Sequence, residues 1–500
     1  MNHYLTTPIY YASGAPHLGH AYTTLIADCV KRYRQLRGDE ALLVTGTDEH
    51  GQKIERAAAA AGASTQAFVD GLSRTFEGAW RDLDIAVDRF ERTTGEAHKA
   101  FAQAFWQRLA ERGAIYLGEY SGRYCVECEQ YFTDGDTCPV HRRPLEDFAA
   151  PSYFFRLSDY RAALIDHIER HPDFIVPATR RNEVLTFLRG NKLNDLSISR
   201  TATRWGVPVP GDDNHVMYVW IDALVTYLSA LAPDLEAFES PASQAWWHNT
   251  THFIGKDILT FHAVYWPALL LAAGIPLPRQ LIVNGWLTTF GRKISKSDPE
   301  TIIDPASLTT KVGRDGVRWY FLKSVQLGQD VDYSHEALVQ AANTDLANNL
   351  GNLFSRFTAL ARKRLGSSWQ AAGETPDSAV ALRSVVRDKA DGLAASFESG
   401  NPPGAARAFI EAASAVNAWF QQAAPWQIQD PNELATLLWS AYQVLADLTV
   451  LATPFVPETA LKARLALGLT EPAAWRELDA CRELARACQV VPIYARVEES

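Results

Sequence analysis

Several things are scarce in this chain, and each scarcity narrows what it can be. There are six cysteines in 500 residues. Cys125, Cys128 and Cys138 cluster, while Cys29, Cys481 and Cys488 are scattered. That spread is not the framework of a small disulfide-stapled secreted domain. Long apolar runs are also missing. The most apolar stretch read from composition, AVYWPALLLAAGIPLP, is interrupted by Pro267, Pro276 and Pro278 and is too short to cross a bilayer. The opening MNHYLTTPIYY has no basic region ahead of an apolar run, so no signal peptide is expected. Positive charge is in deficit: 48 Lys and Arg stand against 58 Asp and Glu, a net charge of -10. That excludes a protein coated in positive charge but leaves room for a local basic track. No solenoid repeat or low-complexity tail is visible. The expected compartment is the reducing cytoplasm, with no membrane partner.

What is present is an ordinary globular composition, 47% hydrophobic and 21% charged. The chain is too long for one typical core, so several domains are expected. HYLTTPIYY reads as a strand, Leu18 to Leu36 as a helix stopped by Gly38, and ALLVTG as a strand buried on both faces. This is a βαβ unit, which implies a parallel sheet. The pattern returns with HFIG as a strand, DILTFHAVYWPALLLAAG as a helix and QLIVNGWLTT as a strand. Between these halves lies a stretch rich in cysteine and aromatics, read as an insertion. Beyond Asp345, alanine and leucine recur at helical spacing, with a break at SGNPPG. The expected division is 1–114 and 212–290 for the two sheet halves, 115–211 for the insertion, 291–344 for a linking region and 345–500 for a helical domain.

Ligands of a doubly wound sheet gather outside the carboxyl ends of its strands. PIYYASGAPHLGH leaves the first strand and TGTDEHG the second, so His17, His20 and Asp48 are expected to face one crevice. Two histidines three apart can hold a metal, or meet a phosphate at a helix start where Gly19 leaves room, or be plain loop residues. In GRKISKSDPE, Lys293 and Lys296 offer two ammonium groups that suit a triphosphate. A solvated basic turn is the plainer reading of so short a run. Cys125-x-x-Cys128, then nine residues, then Cys138-x-x-His141 suits tetrahedral zinc. Four protein ligands close the shell, which makes the site structural. Asn348, Asn352 and Arg356 recur every four residues, and Trp426 follows Pro425. Such residues can read base edges and stack an unpaired base, or form a solvated face beside a buried tryptophan.

Taken in order, TTPIYY, PHLGHAYTT, TGTDEHGQKI, YCVECEQYF, YFFRLSDY, ISRTATRWGVPVP, YVWIDAL, FIGKDILTFH and LGNLFSRF resemble the methionyl-tRNA synthetase family of class I aminoacyl-tRNA synthetases. The resemblance spans essentially the whole chain. It implies an α/β fold: a Rossmann-like parallel-sheet catalytic domain split by a zinc-knuckle connective insertion, followed by an α-helical anticodon-binding domain. It implies activation of L-methionine with ATP to methionyl-adenylate, with Mg2+ accompanying the ATP, and transfer to the 3′ end of tRNA(Met), initiator and elongator.

The residues carry over one by one. His17, His20, Lys293 and Lys296 match catalytic positions. Gly19, Asp257 and Ile294 join them at ATP, with Lys256 and Arg200 as looser candidates. Asp48 matches the residue that receives the methionine ammonium. Ile9, Tyr11, Trp220, Leu224, Tyr227, Ile258 and His262 match the shell around the methionine side chain, where a polarizable thioether packs well on aromatic rings. Cys125, Cys128, Cys138 and His141 match one structural Zn2+. Asn352, Arg356 and Trp426 match readers of the anticodon. The chain departs from the family with Asp298-Pro299-Glu300 after KISKS, where two acids weaken the local field and a proline stiffens the loop. The dimerising module of some members does not follow the helical domain, so a monomer is expected. Two other functions compete. A duplicated synthetase serving inhibitor resistance or a biosynthetic pathway would keep the same chemistry. A non-catalytic RNA-binding regulator would show decay of HLGH, KISKS or the pocket, and these are intact.

Overall fold

The computed structural model describes residues 1–125, 130–132, 135–138, 142–190, 193–201, 203–289, 291–294, 303–324, 326–490 and 492–498. Six strands form one sheet: β1 (Asn2–Tyr11), β2 (Glu40–Asp48), β3 (Arg89–Arg92), β4 (Ile175–Val176), β5 (Thr250–Gly255) and β6 (Gln280–Asn284). Their order is β3-β2-β1-β5-β6-β4, and every neighbouring pair is parallel. The chain therefore winds outward from β1 to β3, then returns beside β1 at β5. That reversal opens a crevice outside the carboxyl ends of β1 and β5.

Local chemistry explains the elements. β1 is central, yet carries Pro8, which has no N–H to donate. The β1–β2 register shifts between Thr6 and Ile9, so the proline falls in the irregularity. Between β1 and β2 runs α1 (Leu18–Leu36), with Leu18, Tyr22, Leu25, Ile26, Cys29 and Tyr33 among its buried residues. α2 (Thr65–Asp82) sets Phe76 and Trp80 against Tyr10 at ring distances of 5.8 and 5.7 Å. These observations carry the expected βαβ unit and α/β class.

The 115–211 stretch holds an antiparallel hairpin, Ile115–Cys125 on Glu146–Phe155, in register from Ile115↔Phe155 to Tyr124↔Glu146. The same stretch also returns to the main sheet, since β4 closes its edge on Leu281 and Ile282. After it comes α3 (Val219–Ser229), which packs in the same apolar core as Ile254 and Leu281.

Two expected elements are subdivided. QLIVNGWLTT forms β6 and then a separate strand, Leu287–Thr289, in another sheet. The break falls at Gly285, where a Cβ would lie 2.0 Å from the Gln329 carbonyl oxygen, so only glycine admits that chain. The expected helix through 257–274 is a 3-10 turn (Lys256–Ile258), a π turn (Phe261–Tyr265) and a short α-helix (Trp266–Ala273).

α4 (Pro305–Ser324) is broken at Gly313, whose φ is 71°. A π-helical run, Ala342–Gly351, leads into α5 (Asn352–Arg364). α6 (Asp377–Glu398), α7 (Pro402–Ala423) and α8 (Pro431–Ala452) follow. SGNPPG makes the α6–α7 turn: Asn401 caps α7 by accepting from the Gly404 N–H at 3.2 Å, and Pro402 starts the helix. Among the described residues α8 alone is long and apolar enough to cross a membrane, and 89% of its apolar window is buried against the rest of the protein. Its apolarity is that of a core helix, with few positions left for solvent.

Sheet and helices are joined by a buried ion pair. Arg318 of α4 has no exposure and bonds Asp28 of α1 at 2.6 Å. It also donates to the Phe455 carbonyl at 3.1 Å and the Asp84 carbonyl at 3.2 Å. Burial alone would raise the Asp28 carboxyl; Arg318 and Arg32 hold it below its ordinary value.

Candidate active site

The crevice is built from what leaves the ends of β1, β2, β5 and β6. From β1 the chain passes to His17, the N-cap of α1. His17 Nδ1 accepts the Gly19 N–H at 3.1 Å, and His20 Nδ1 accepts the His17 N–H at 3.2 Å. Both Nδ1 atoms are thus acceptors, which puts the proton of each neutral ring on Nε2. The rings stack with centroids 3.7 Å apart. Tyr10 supports them from beneath, its hydroxyl donating to the His20 carbonyl at 3.1 Å. A Cβ on Gly19 would lie 3.1 Å from the His17 ring, so glycine here keeps that ring in place. Two N–H donors at a helix N-terminus suit an anionic ligand.

At the end of β2, Asp48 is buried and pairs in register with Tyr11 of β1. The loop that follows is fastened on three sides by residues that sequence reading passed over. Glu49, fully buried, is held by Arg92 at 2.7 and 3.0 Å. Its carbonyl accepts from the Trp205 indole at 2.5 Å. His50 Nδ1 meets Asp222 Oδ2 at 2.5 Å, and His98 Nε2 meets Asp222 Oδ1 at 2.7 Å. Burial pushes the Asp222 carboxyl up, but the two imidazoles outweigh it and hold it at about 2.

The expected side-chain shell is largely one cluster. Leu224 and Tyr227 are buried in it, and Tyr11, Trp220 and Ile258 pack against it. Ile9 is buried on β1 but outside that cluster. The π turn brings Phe261 flat onto Trp220 at 3.8 Å, a partner the sequence did not announce. Burial pushes the His262 imidazole down to about 4, so it is neutral at pH 7. Its Nδ1–H donates to the Ile258 carbonyl at 3.0 Å, and its Nε2 accepts the Tyr227 hydroxyl at 2.8 Å. His252, also unannounced, lies under Tyr227 at 4.5 Å. Burial holds it well below its ordinary value. The wall is therefore uncharged, which suits an apolar side chain.

Asp257 lies in the 3-10 turn that leaves the carboxyl end of the central strand β5. Lys256 is engaged by Asp330 at 2.7 Å and lies over the Trp286 ring at 3.9 Å. Arg200 is buried, donating to the Ser199 carbonyl at 2.8 Å and lying 4.1 Å from the Tyr218 ring. Contacts within the protein thus occupy the two cations expected loosely at ATP. Beyond β6, Arg292–Lys293 folds back on Thr288–Thr289, and Ile294 is buried. The Lys293 side chain, Lys296 and Asp298-Pro299-Glu300 lie outside the described residues.

Two candidate sites stand apart from the crevice. Cys125 and Cys138 are both buried and share one small cluster with Leu145. Cys128 and His141 lie outside the described residues, and among the described ones no three metal-binding side chains gather. In the helical part, the Arg356 guanidinium lies 4.9 Å from the Trp426 ring, and it donates to Gln421 at 2.8 Å. Trp426 is 38% exposed, and Asn352 is exposed one turn before Arg356. The structure thus joins Arg356 to Trp426 across 70 residues of sequence, with the tryptophan partly exposed.

The chain matches the family described as tRNA synthetases class I (M) over residues 3–150 and 146–358. It is 41% identical over 495 residues to the methionine–tRNA ligase of Streptomyces coelicolor, covering 93% of this chain and 89% of that protein. It is 37% identical to the chloroplastic/mitochondrial methionine–tRNA ligase of Arabidopsis thaliana, covering 99% of this chain and 83% of the other. The crystal structure of Mycobacterium tuberculosis methionyl-tRNA synthetase bound by methionyl-adenylate superposes with a TM-score of 0.94 at 36% identity, covering 99% of this chain and all of that one.

Proposed function

The chain belongs to the methionyl-tRNA synthetase family of class I, and from that premise we propose a residue-level account of how it activates L-methionine with ATP and charges tRNA(Met). The observation that carries it is the stacked His17–His20 pair at the head of α1, the helix that follows β1, with the buried Asp48 at the end of the neighbouring β2, where the sheet order reverses. Asp48 receives the methionine ammonium. Tyr11, Trp220, Leu224, Tyr227, Ile258 and His262 surround the thioether side chain, with Ile9 behind. ATP lies along Gly19, Asp257 and Ile294. The methionine carboxylate attacks the α-phosphate in line and pyrophosphate leaves. The Nε2–H groups of His17 and His20 donate to the phosphoryl oxygens as charge builds on them. Lys293 and Lys296 neutralise the departing pyrophosphate, and Mg2+ travels with the triphosphate. A ribose hydroxyl of the tRNA's terminal adenosine then attacks the methionyl carbonyl of the adenylate, the ester forms, and the acyl–phosphate bond breaks to release AMP and the hydroxyl proton. No side chain is a covalent nucleophile; the site works by orientation and charge neutralisation.

Asn352, Arg356 and Trp426 read the anticodon, with Trp426 as the stacking platform. Cys125, Cys128, Cys138 and His141 hold one structural Zn2+ that fixes the 115–211 insertion above the crevice. The clustering of two buried thiols supports that donor set, whose chemistry suits zinc. The division into 1–114, 115–211, 212–290, 291–344 and 345–500, a monomeric state and action in the cytoplasm complete the proposal. The test is ATP–pyrophosphate exchange by the purified protein without tRNA, with methionine against leucine, isoleucine and cysteine. Exchange with methionine alone is expected. Preference for another amino acid would overturn the pocket assignment.

A further inference from the structure

Asp222 does not face the methionine pocket, yet it sits among the groups that shape it. It lies on α3 between Trp220 and Leu224, with Tyr227 a turn further on. Those three side chains fall at i, i+4 and i+7 and so share one face, while Asp222 projects from the other. There it has no exposure and meets two histidines from distant elements: His50 at 2.5 Å, two residues beyond Asp48, and His98 at 2.7 Å, from the helix Glu96–Glu111. His98 is itself fixed on its other nitrogen by Ser229 Oγ at 2.8 Å, at the far end of α3. A buried carboxylate between two imidazole N–H donors is strongly held, because losing either partner leaves charge unmatched in a dry interior.

Accepting the assignment of the pocket made above, we infer that Asp222 is the positioning residue that sets the distance between the amine-receiving Asp48 and the side-chain wall of Trp220, Leu224 and Tyr227. Methionine is held at both ends, by its ammonium and by its thioether. The span between those ends selects it against shorter and longer apolar amino acids. β2 carries one end and α3 the other. The His50–Asp222–His98 bridge is the polar link between them, on the side away from the substrate. A misplacement of about 1 Å between two such binding groups is enough to cost about 10²-fold. The loss appears in KM, because the bridge acts on both ends of the amino acid and touches neither ATP nor the reacting atoms.

The experiment is ATP–pyrophosphate exchange with Asp222→Asn, reading kcat and KM for methionine, norleucine and ATP. The expected result is a KM for methionine raised about 10-fold or more, kcat within about 3-fold, KM for ATP unchanged, and a smaller preference for methionine over norleucine. His98 supplies the control. His98→Gln keeps an N–H donor near the Nε2 position and is expected near wild type, whereas His98→Ala is expected to follow Asp222→Asn. That pair decides the matter if Asp222→Asn does not fold. A folded Asp222→Asn protein with wild-type KM and preference would overturn the inference. So would His98→Gln and His98→Ala raising KM alike, or a loss confined to kcat. A wild-type protein that fails to exchange with methionine would instead overturn the functional reading on which this rests, and the inference with it.

Discussion

In the proposed reaction His17 has two jobs, one for each ring nitrogen. Nδ1 caps α1, and that bond fixes the proton on Nε2, where a phosphate oxygen can use it. The jobs are separable. Asparagine also caps helices well, so His17→Asn is expected to leave stability within about 1 kcal/mol while removing the ring donor. Methionine-dependent pyrophosphate exchange should then fall by about 10²–10³ in kcat, as for loss of one oriented donor. A melting curve beside the exchange assay reads both. HLGH is legible in sequence because its spacing is local. The tautomers are not, since they depend on where two backbone N–H groups fall. The same holds for His262. Its neutrality comes from burial, and no one-dimensional pattern records burial of a polar ring among tyrosine and tryptophan side chains.

Among the elements, the pairing of Arg356 on α5 with Trp426 beyond α7 makes the clearest prediction. Trp426→Ala and Arg356→Ala should each lower kcat/KM for tRNA charging by about 1–3 kcal/mol, roughly 5- to 150-fold. Pyrophosphate exchange without tRNA should stay at the wild-type rate, because neither residue touches the crevice. Equal losses in both assays would mean the helical part is acting on the catalytic domain's stability. The zinc proposal also belongs to this scale. Elemental analysis is expected to find one zinc per chain, and Cys138→Ser to lower that content. The two breaks in expected elements show why boundaries resist sequence reading. QLIVNGWLTT is apolar throughout, and what divides it is the approach of the Gln329 carbonyl to Gly285, a contact with chain 44 residues away. The π turn at Phe261–Tyr265 likewise has no composition signal, although it carries His262 and sets Phe261 on Trp220.

For the whole molecule, the seam around Arg318 ties α1, which begins with HLGH, to α4 and to the chain that follows α8. Arg318→Ala leaves the buried Asp28 to Arg32 and the Ala86 N–H, strips the seam of its bonds to the Phe455 and Asp84 carbonyls, and is expected to destabilise the protein by about 3 kcal/mol, read from denaturant unfolding. Acid should weaken the fold through Asp222. Its folded-state pKa, about 2, lies below that of an unfolded carboxyl. Its contribution, about 2 kcal/mol, is therefore present above the unfolded value near 4 and is lost as pH falls toward 2. The stability difference between wild type and Asp222→Asn is accordingly expected to shrink as pH is lowered from about 5 toward 3.

The sequence by itself determined the βαβ start, the parallel sheet, the helical character beyond Asp345 and the motifs that place the chain in its family. Each of these rests on short-range periodicity or on residues fixed at local spacing, and such signals survive in one dimension. Tertiary structure alone decided that Ile175–Val176 returns to close the sheet, that Arg318 lies at a dry seam with Asp28, and that Asp222 sits between His50 and His98. These join residues from 106 to 290 positions apart in sequence, each from a separate element. Their partners are chosen by packing and by the need to match buried charge, and those forces act only once the chain has folded.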